Sequence, residues 1–503
     1  MRRRRESKKK QVNSPKTNFK NQRALSIENI KVQLNHTDDL KDREIHINHQ
    51  IYIILYIAPI VDQEKLETKV IEPLTKTENN DISNVLYNQE INRIRGNEKA
   101  INGLLDGNCL LMKKDGHEEG LLLNVNASHG RDVSQLETEK TILGPHEGFV
   151  EDLDKNISLL RKRTENPRFT VKKYPLGAET NTDVALIYLN NLVNPEILKK
   201  VDQRLKSINL DSIRSSGNIQ DCIEDDAFSP FPQLLVTERP DRTAANLMDG
   251  RAVLLIDGDP TVFVLPATFM MFFQSPDDYV NRWGLGSFFR ILRLLSYVNA
   301  LLFPAFYVAL VSFHYEIFPT ELVYSFQSSL SYVPFRPIIE LMIMQFSLEL
   351  LREASIRLPN SIAQTFGIVG GLVVGTAMVE AGLVSYGGLI VVAITAVSSF
   401  AQPNIEMSST IRVLGFPLMI MAATFGLLGI MLGSLFIFIH LSRITSFGVP
   451  YFAPFAPLNI HEFKDTIIRL PVWMQDKRPK TSSRYQKGKT SREWKSHESE
   501  EPY

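Results

Sequence analysis

The chain has 503 residues, a length that suits two or three domains of about 150 residues each. Its 56 basic and 56 acidic residues balance, so the overall charge gives no reason to expect a nucleic-acid partner. Only two cysteines occur, Cys109 and Cys222, which excludes a disulfide-based scaffold and favours a reducing compartment.

Residues 1–45 are polar and charged, and the first ten (MRRRRESKKK) hold seven basic groups against one acid. Such a stretch buries too little apolar surface to offset the entropy of ordering, so we predict a disordered basic N-terminal extension. It would be a solvated tail, and the alternatives are a nucleic-acid-binding arm or a tail attracted to anionic membrane lipid. No apolar run follows the basic start, so no secretory signal is expected and membrane insertion would be internal.

One structural plan occurs twice in the following part of the chain. Residues 51–60 form a β-branched, aromatic run typical of a buried strand, which turns into a predicted helix at 63–74, and residues 185–205 repeat that arrangement. Residues 104–116 (LLDGNCLLMKKDG) match residues 247–258 (LMDGRAVLLIDG), and in both an Asp-Gly pair precedes and follows a short apolar strand. We therefore predict two related α/β soluble subdomains.

Helical spacing marks the connection between these subdomains. Val150, Leu153, Ile157 and Leu160 form one apolar face, which predicts a connecting helix. The fold class is thus an α+β multi-domain membrane protein, with the two soluble subdomains followed by an all-α transmembrane domain. The predicted units after the extension are 46–143 (first subdomain), 144–165 (connecting helix), 166–275 (second subdomain), 276–442 (transmembrane domain) and 443–503 (juxtamembrane segment and basic tail).

Apolar segments dominate the C-terminal half. A bilayer core of about 30 Å needs about 20 apolar residues in a helix. The uncharged or nearly uncharged segments are 294–313, 361–383, 387–401 and 413–439. A fifth segment, 334–359, is helical by composition but carries charges. Basic flanks put both ends on the cytoplasmic side, so we predict four crossings and one re-entrant or interfacial piece, either 338–351 or 387–401.

Three glycines form a stripe in the second of these segments. Gly367, Gly371 and Gly375 recur every fourth residue and share one helix face, which predicts close helix packing. A helix that lines a pore is the alternative interpretation. The proline-rich segment 446–457 cannot form a regular helix, so it would lie along the membrane surface or fold back onto the soluble part.

Charged residues inside apolar sequence are candidates for function. Glu340, Glu349 and Arg352 are predicted as intramembrane charges that face a bundle interior or water. Glu349 and Arg352 are three residues apart and can pair on one helix face. Amphipathic packing at the membrane surface is the alternative.

Catalytic patterns are missing from the sequence. It contains no Walker-type phosphate loop and no HExxH, GxSxG or CxxC motif, and its ten histidines show no ligand spacing. We therefore predict no enzymatic activity, no cofactor and no metal site.

Five separated segments, in this order, resemble the A subunit of bacterial spore germinant receptors, the GerA family. They are 144–163 (GPHEGFVEDLDKNISLLRKR), 238–260 (ERPDRTAANLMDGRAVLLIDGDP), 272–283 (FFQSPDDYVNRW), 349–359 (ELLREASIRLP) and 446–457 (SFGVPYFAPFAP). The resemblance extends from about residue 51 to residue 457. The arginine-rich start and the charged tail lie outside it.

The resemblance implies a multi-pass protein of the spore inner membrane whose soluble region lies on the cytoplasmic, spore-core side. Such A subunits act with a transporter-like B subunit, which binds the nutrient, and a lipoprotein C subunit. The resemblance further implies a homo-oligomeric, nutrient-gated ion channel that triggers germination. On this basis Val373, Thr376 and Glu380 are predicted to line the pore. The alternatives are the SpoVA-associated F-type paralogue, which assists ion and dipicolinate release, or a non-conducting scaffold.

Overall fold

The computed structural model describes two sheet-containing lobes and a helical region. The described residues are 25–47, 50–76, 91–114, 119–127, 139, 144–317, 332–471 and 474. Residues 1–24 of the predicted extension and the tail after Asp476 lie outside them.

The first lobe is built on a five-stranded sheet with strand order β1-β2-β4-β5-β3, and each described pair is antiparallel. Its strands are β1 Leu40–Ile47, β2 Gln50–Ile57, β3 Ile91–Ile94, β4 Asn108–Lys113 and β5 Gly120–Asn124. Its helices are α1 Ile27–Gln33, α2 Gln63–Leu66 with a π-helical turn Glu67–Ile71, α3 Glu72–Lys76 and α4 Asn97–Leu105. Neighbouring residues of β2 point to opposite faces, and Ile54 and Leu55 are both fully buried, so apolar clusters cover both faces.

Ordered structure begins earlier than the sequence suggested. Helix α1 and most of strand β1 lie within residues 1–45, which were expected to be disordered. The reason is that Leu25, Ile30 and Leu34 are fully buried in the first lobe. Ile30 and Leu34 share one face of α1 and Leu25 lies just before the helix, although the composition around these few apolar residues is polar. The remaining predicted domain limits stay predictions.

The second lobe repeats the plan of the first. Its strand order is β6-β7-β9-β10-β8, which is the first order shifted by five, again with antiparallel described pairs. The strands are β6 Phe169–Leu176, β7 Thr182–Leu189, β8 Leu235–Thr237, β9 Ala252–Ile256 and β10 Val262–Leu265. The helices are α5 Leu153–Arg163, α6 Pro195–Ser207, α7 Ser216–Ile223 and α8 Pro240–Met248. The prediction of two related α/β subdomains is therefore confirmed.

A helical region follows the second lobe. Its helices are α9 Asp277–Val280, α10 Trp283–Phe313, α11 Pro337–Ile356, α12 Asn360–Glu380, α13 Tyr386–Phe400, α14 Ile405–Phe425 and α15 Leu427–Arg443. Among the described residues, α10 and α14 are long and apolar enough to cross a membrane, while α13 and α15 are shorter apolar helices. The predicted number of crossings stays a prediction.

Neighbouring long helices in this region run in opposite directions. Tyr307 of α10 has its hydroxyl 3.1 Å from Ser385 Oγ, just before α13. Asn299, two turns earlier in α10, donates from Nδ2 to Ser398 Oγ near the end of α13 at 2.8 Å. Short links join α11 to α15 in succession, and each pair packs together, so the direction alternates and the region begins and ends on the side of the lobes.

The sequence analysis treated residues 413–439 as one continuous apolar segment. That prediction is wrong, because the structure divides the segment between α14 and α15. Gly426 separates the two helices. Its backbone has φ 61° and ψ −138°, a conformation that residues with a Cβ rarely adopt. The chain then turns back so closely that a Cβ at Gly429 would lie 2.0 Å from Met421 O. Hydropathy alone did not reveal this break, since glycine is common inside membrane helices.

We expect Gly426→Ala to lower stability by about 1–3 kcal/mol, the cost of forcing a non-glycine residue into this backbone conformation. Gly415→Ala is the control, because Gly415 is helical and an added Cβ there meets no atom within 4 Å. The control should be neutral or stabilising, since alanine favours helix over glycine. Thermal unfolding of the full chain in detergent measures both, and equal melting temperatures would contradict the role assigned to Gly426.

Candidate functional site

Helix α12 carries the residues predicted to line a pore. Val373 is 54% exposed, and Thr376 and Glu380 are also exposed. Thr376 Oγ1 donates to the carbonyl oxygen of Leu372 at 2.8 Å. The three residues share one helix face, opposite the glycine stripe. Since the described part of the chain leaves this face uncovered, another copy, lipid or water would cover it. Their role in a pore stays a prediction.

The glycine stripe lies on the inward side of α12. A Cβ built at Gly375 would lie 3.4 Å from Leu389 Cδ1, so this glycine is in close contact with α13. A Cβ at Gly367 or Gly371 would meet no atom within 4 Å. These two glycines border a cavity instead of a packed helix. The packing role predicted for the stripe is thus untested for Gly367 and Gly371.

The cavity bordered by Gly367 and Gly371 is called the basal cavity below. It has a volume of about 480 Å³ and lies among helices α11, α12, α13 and α14, with Ala300 of α10 at its wall. Its charged lining residues are Glu349, Arg352 and Arg412. The cavity therefore collects two of the three predicted intramembrane charges and one that the sequence analysis did not select.

Glu349 forms an ion pair with Arg412 Nε of α14 rather than with Arg352. The other Arg412 nitrogens donate to Ser408 Oγ at 2.8 Å and Ser409 Oγ at 2.9 Å. Arg352 lies over the ring of Phe400, with its Cζ 4.7 Å from the ring centroid. The pairing of Glu349 with Arg352 expected from spacing is replaced, because α14 packs beside α11 and brings a second arginine. The sequence did contain a signal for Arg412, since this arginine directly precedes the longest apolar run, residues 413–439.

Glu340 is fully buried at the other end of α11. Its Oε1 accepts hydrogen bonds from the backbone N–H of Ser385, at 2.8 Å, and from the Ser385 hydroxyl. Tyr307 of α10 contacts the same hydroxyl. This small polar network joins α10, α11 and the start of α13, so Glu340 faces the interior of the bundle.

A contact between the second lobe and the helices was missed by the sequence analysis. Ser229 Oγ lies 2.9 Å from His440 Nε2 near the end of α15, and Thr410 Oγ1 of α14 donates to Pro230 O at 2.5 Å. The ring of Phe231, which is 1% exposed, lies 6.0 Å from the His440 ring. The loop that holds Ser229, Pro230 and Phe231 lies within residues 216–232, where the second repeat has a longer insert than the first, and that difference in length was the signal available in the sequence.

The same loop begins with a perturbed carboxyl group. Burial raises the pKa of Glu224 above its usual range. Hydrogen bonds from Gln220 Nε2 at 3.0 Å and from the backbone N–H of Gln233 at 3.3 Å act in the opposite direction and are outweighed. Burial therefore disfavours the charged form of this one carboxyl group of the loop.

Aromatic rings fill the border between the second lobe and the helices. Phe269 stands 5.7 Å from the ring of Tyr297 in α10 and 5.4 Å from that of Phe452. The backbone N–H of Phe269 donates to Tyr451 O at 2.8 Å. The segment 446–457 thus folds back onto the soluble part, which was one of its two expected positions. It begins with a two-stranded ribbon, β11 Thr445–Ser446 and β12 Val449–Pro450.

Comparison with known proteins gives consistent matches. A family model described as "Bacillus/Clostridium GerA spore germination protein" matches residues 28–481. The chain is 38% identical to "Spore germination protein KA" of Bacillus subtilis (strain 168), over 92% of this chain and 87% of that protein. It is also 38% identical to "Spore germination protein A1" of the same organism, over 90% of this chain and 95% of that protein.

The soluble part of the chain also matches a solved structure. The crystal structure of the N-terminal domain of the A subunit of the Bacillus megaterium spore germinant receptor GerK3 is 26% identical in sequence, with a TM-score of 0.39. The match covers 49% of this chain and 97% of that domain.

Proposed function

Because the chain belongs to the GerA family of spore germination proteins, we propose that it is the A subunit of a nutrient germinant receptor in the spore inner membrane. The family match over residues 28–481 supports this proposal, as do relatives named as spore germination proteins that align over most of their length. Its partners would be a transporter-like B subunit that binds the nutrient and a lipoprotein C subunit. The lobes would lie on the spore-core side.

We further propose that several copies assemble in the membrane and enclose an ion path lined by α12. The observation that carries this proposal is the uncovered face of α12, where Val373, Thr376 and Glu380 are exposed on an otherwise apolar helix. Polar and acidic side chains at membrane depth normally face a bundle interior or water. A ring of such residues supplies an apolar constriction, hydroxyls and an acidic ring, which suit a cation path.

Coupling between the lobes and the helices would use the contact of the second lobe with α14 and α15. Ser229, Pro230 and Phe231 touch the lobe-side ends of both helices. A shift of the lobe caused by the partner subunits would therefore act directly on the α14–α15 hairpin. The hairpin packs along α10, which continues from the lobe itself.

The proposal is tested by substituting residues of the exposed α12 face and measuring the loss of ions from spores. Val373→Ala or Thr376→Ala is expected to raise the nutrient-independent loss of monovalent cations from developing spores about tenfold, as for a barrier lowered by about 1.4 kcal/mol. Val374→Ala is the matched control, because Val374 is the next residue but lies on the glycine side of α12. Equal leak in all three variants would count against α12 as the pore helix.

Reconstitution separates the channel from its alternatives. Purified protein in liposomes, alone and beside its partners, should pass potassium, and the flux should change in the two pore-face variants. A protein that stays monomeric and silent under both conditions would instead be the non-conducting scaffold. Normal nutrient-triggered cation release but impaired dipicolinate release, in spores lacking the protein, would indicate the F-type paralogue.

A further inference from the structure

We propose that the basal cavity binds an anionic phospholipid, with the lipid phosphate on Arg352 and an acyl chain along the glycines of α12. The inference depends on the helical region lying in a membrane, as proposed above, but not on ion conduction. It assigns a ligand class to a cavity that neither the pore face nor the lobe contact uses.

Charge is the first argument. Glu349, Arg352 and Arg412 are the charged residues that line the cavity, and Glu349 is paired with Arg412. The cavity therefore keeps one net positive charge, on Arg352. Its ring contact is with Phe400, and among the described residues no acceptor takes a hydrogen bond from its guanidinium. A guanidinium at this depth gains most from a phosphate, which it can bind through two parallel hydrogen bonds.

The neutral polar groups in the cavity limit where an anion would sit. The hydroxyls of Ser355, Thr395 and Ser399 donate to carbonyl oxygens of their own helices at 2.7, 2.7 and 2.8 Å. They present lone pairs to the cavity, which do not attract an anion. Arg412 directs its three nitrogens to Glu349, Ser408 and Ser409. The other donors that line the cavity are the Arg352 guanidinium and the side-chain amide of Gln345, which lies two turns earlier on the same face of α11. The phosphate therefore belongs at α11.

The rest of the cavity suits an alkyl chain. Gly367 and Gly371 form one wall, and the space beyond each would admit a Cβ without contact within 4 Å. A volume of about 480 Å³ is far larger than a single phosphate ion needs. One charged group beside an apolar groove is complementary to an amphiphile, which has a charged head and an apolar chain. A free inorganic anion would leave most of the cavity empty.

The depth of the cavity matches a lipid headgroup. Arg412 lies two residues after Thr410, whose hydroxyl donates to Pro230 O of the second lobe. The charged end of the cavity is therefore close to the border between lobe and helices. If the helices span a bilayer, that border is the headgroup level of the leaflet on the lobe side, where basic pockets between helices bind acidic lipid headgroups.

The experiment measures lipid binding to the purified full chain in detergent by native mass spectrometry. Dioleoyl-phosphatidylglycerol is compared with dioleoyl-phosphatidylcholine, which has the same chains and no net charge, and with inorganic phosphate. We expect phosphatidylglycerol to bind at least about tenfold more tightly than phosphatidylcholine, and Arg352→Gln to remove that preference. Arg357→Gln is the matched control, because Arg357 lies near the same helix end with its side chain 79% exposed, and it should keep the preference.

A second variant tests the acyl groove and guards against misfolding of the first. Gly371→Leu keeps every charge but fills the groove, so it should weaken phosphatidylglycerol binding about tenfold, as expected for a blocked apolar subsite. Equal binding of both lipids, or equal effects of Arg352→Gln and Arg357→Gln, would overturn the proposal. Displacement of the lipid by inorganic phosphate at equal concentration would also overturn the proposal. So would loss of the bound lipid when several copies of the chain assemble into the oligomer. A chain that stays soluble without detergent would refute the membrane location itself.

Discussion

Replacing Asp39 with alanine is expected to lower the free energy of unfolding of the lobes by about 3–5 kcal/mol, because it leaves Arg161 buried without its counter-charge. Arg161 Nε donates to Asp39 Oδ2 at 2.6 Å and Nη2 donates to Oδ1 at 2.8 Å. The two side chains are only 3% and 0% exposed. Asp39 precedes strand β1 of the first lobe, and Arg161 lies in the last turn of the connecting helix α5, so the pair holds the lobes together.

Hydrogen exchange at the amides of β1 and β6 in the full chain measures this effect, since it reports the free energy of local opening. Glu67→Ala is the control, because it removes a carboxylate from an ion pair on the surface. The side chains of both partners, Glu67 and Arg43, are about half exposed. Such a pair contributes about 0–1 kcal/mol. Adding Arg161→Met to Asp39→Ala should restore part of the loss. A double variant no more stable than Asp39→Ala would contradict the buried-charge explanation.

The second large effect is expected from Asp278→Asn, at the junction of lobe, helices and C-terminal segment. Asp278 is 1% exposed, accepts a hydrogen bond from Arg290 Nε at 3.2 Å and also pairs with Arg293. Arg290 Nη1 in addition donates to Asp465 Oδ1 at 3.1 Å, which ties the C-terminal segment to α10. Removing the charge of Asp278 leaves two largely buried arginines with one carboxylate, a cost of about 3–5 kcal/mol.

This loss should open the junction and release the C-terminal segment 445–469. Limited proteolysis of that segment is expected to accelerate by about two to three orders of magnitude, since cleavage follows the population of the opened state. Asp277→Asn removes the same charge one residue earlier, where the carboxylate accepts only from Ser275 Oγ among the described residues. It should leave the rate nearly unchanged. Equal rates for the two variants would show that the arginine pairs do not hold the junction.

Features encoded within a few residues were predictable. The matched Asp-Gly segments at 104–116 and 247–258 revealed two lobes of one plan, because a tight turn between apolar strands depends on local backbone preference. The spacing of Gly367, Gly371 and Gly375 placed the three glycines on one face of a helix for the same reason, while their packing role stays a prediction. Order before residue 46 was missed, since Leu25, Ile30 and Leu34 are too few to outweigh the polar composition unless the surface of the first lobe that covers them is known.

Contacts between distant residues were not predictable. Spacing offered Arg352 as the partner of Glu349, but helix packing brought Arg412 to it instead. The Ser229–His440 contact joins residues 211 positions apart, and no local pattern indicates it. The family resemblance could supply expected roles for Val373, Thr376 and Glu380, but it carried no information about the basal cavity.

The sequence by itself therefore determined the elements, the repeat, the apolar helices and the family, since periodicity and turn chemistry act over a few neighbouring residues. Only the tertiary structure decided which charges pair, that the last apolar run breaks at Gly426, and how the second lobe contacts the ends of α14 and α15. The physical reason is that these features depend on the packing of surfaces far apart in the chain, where small differences in shape select one partner among several chemically equal ones.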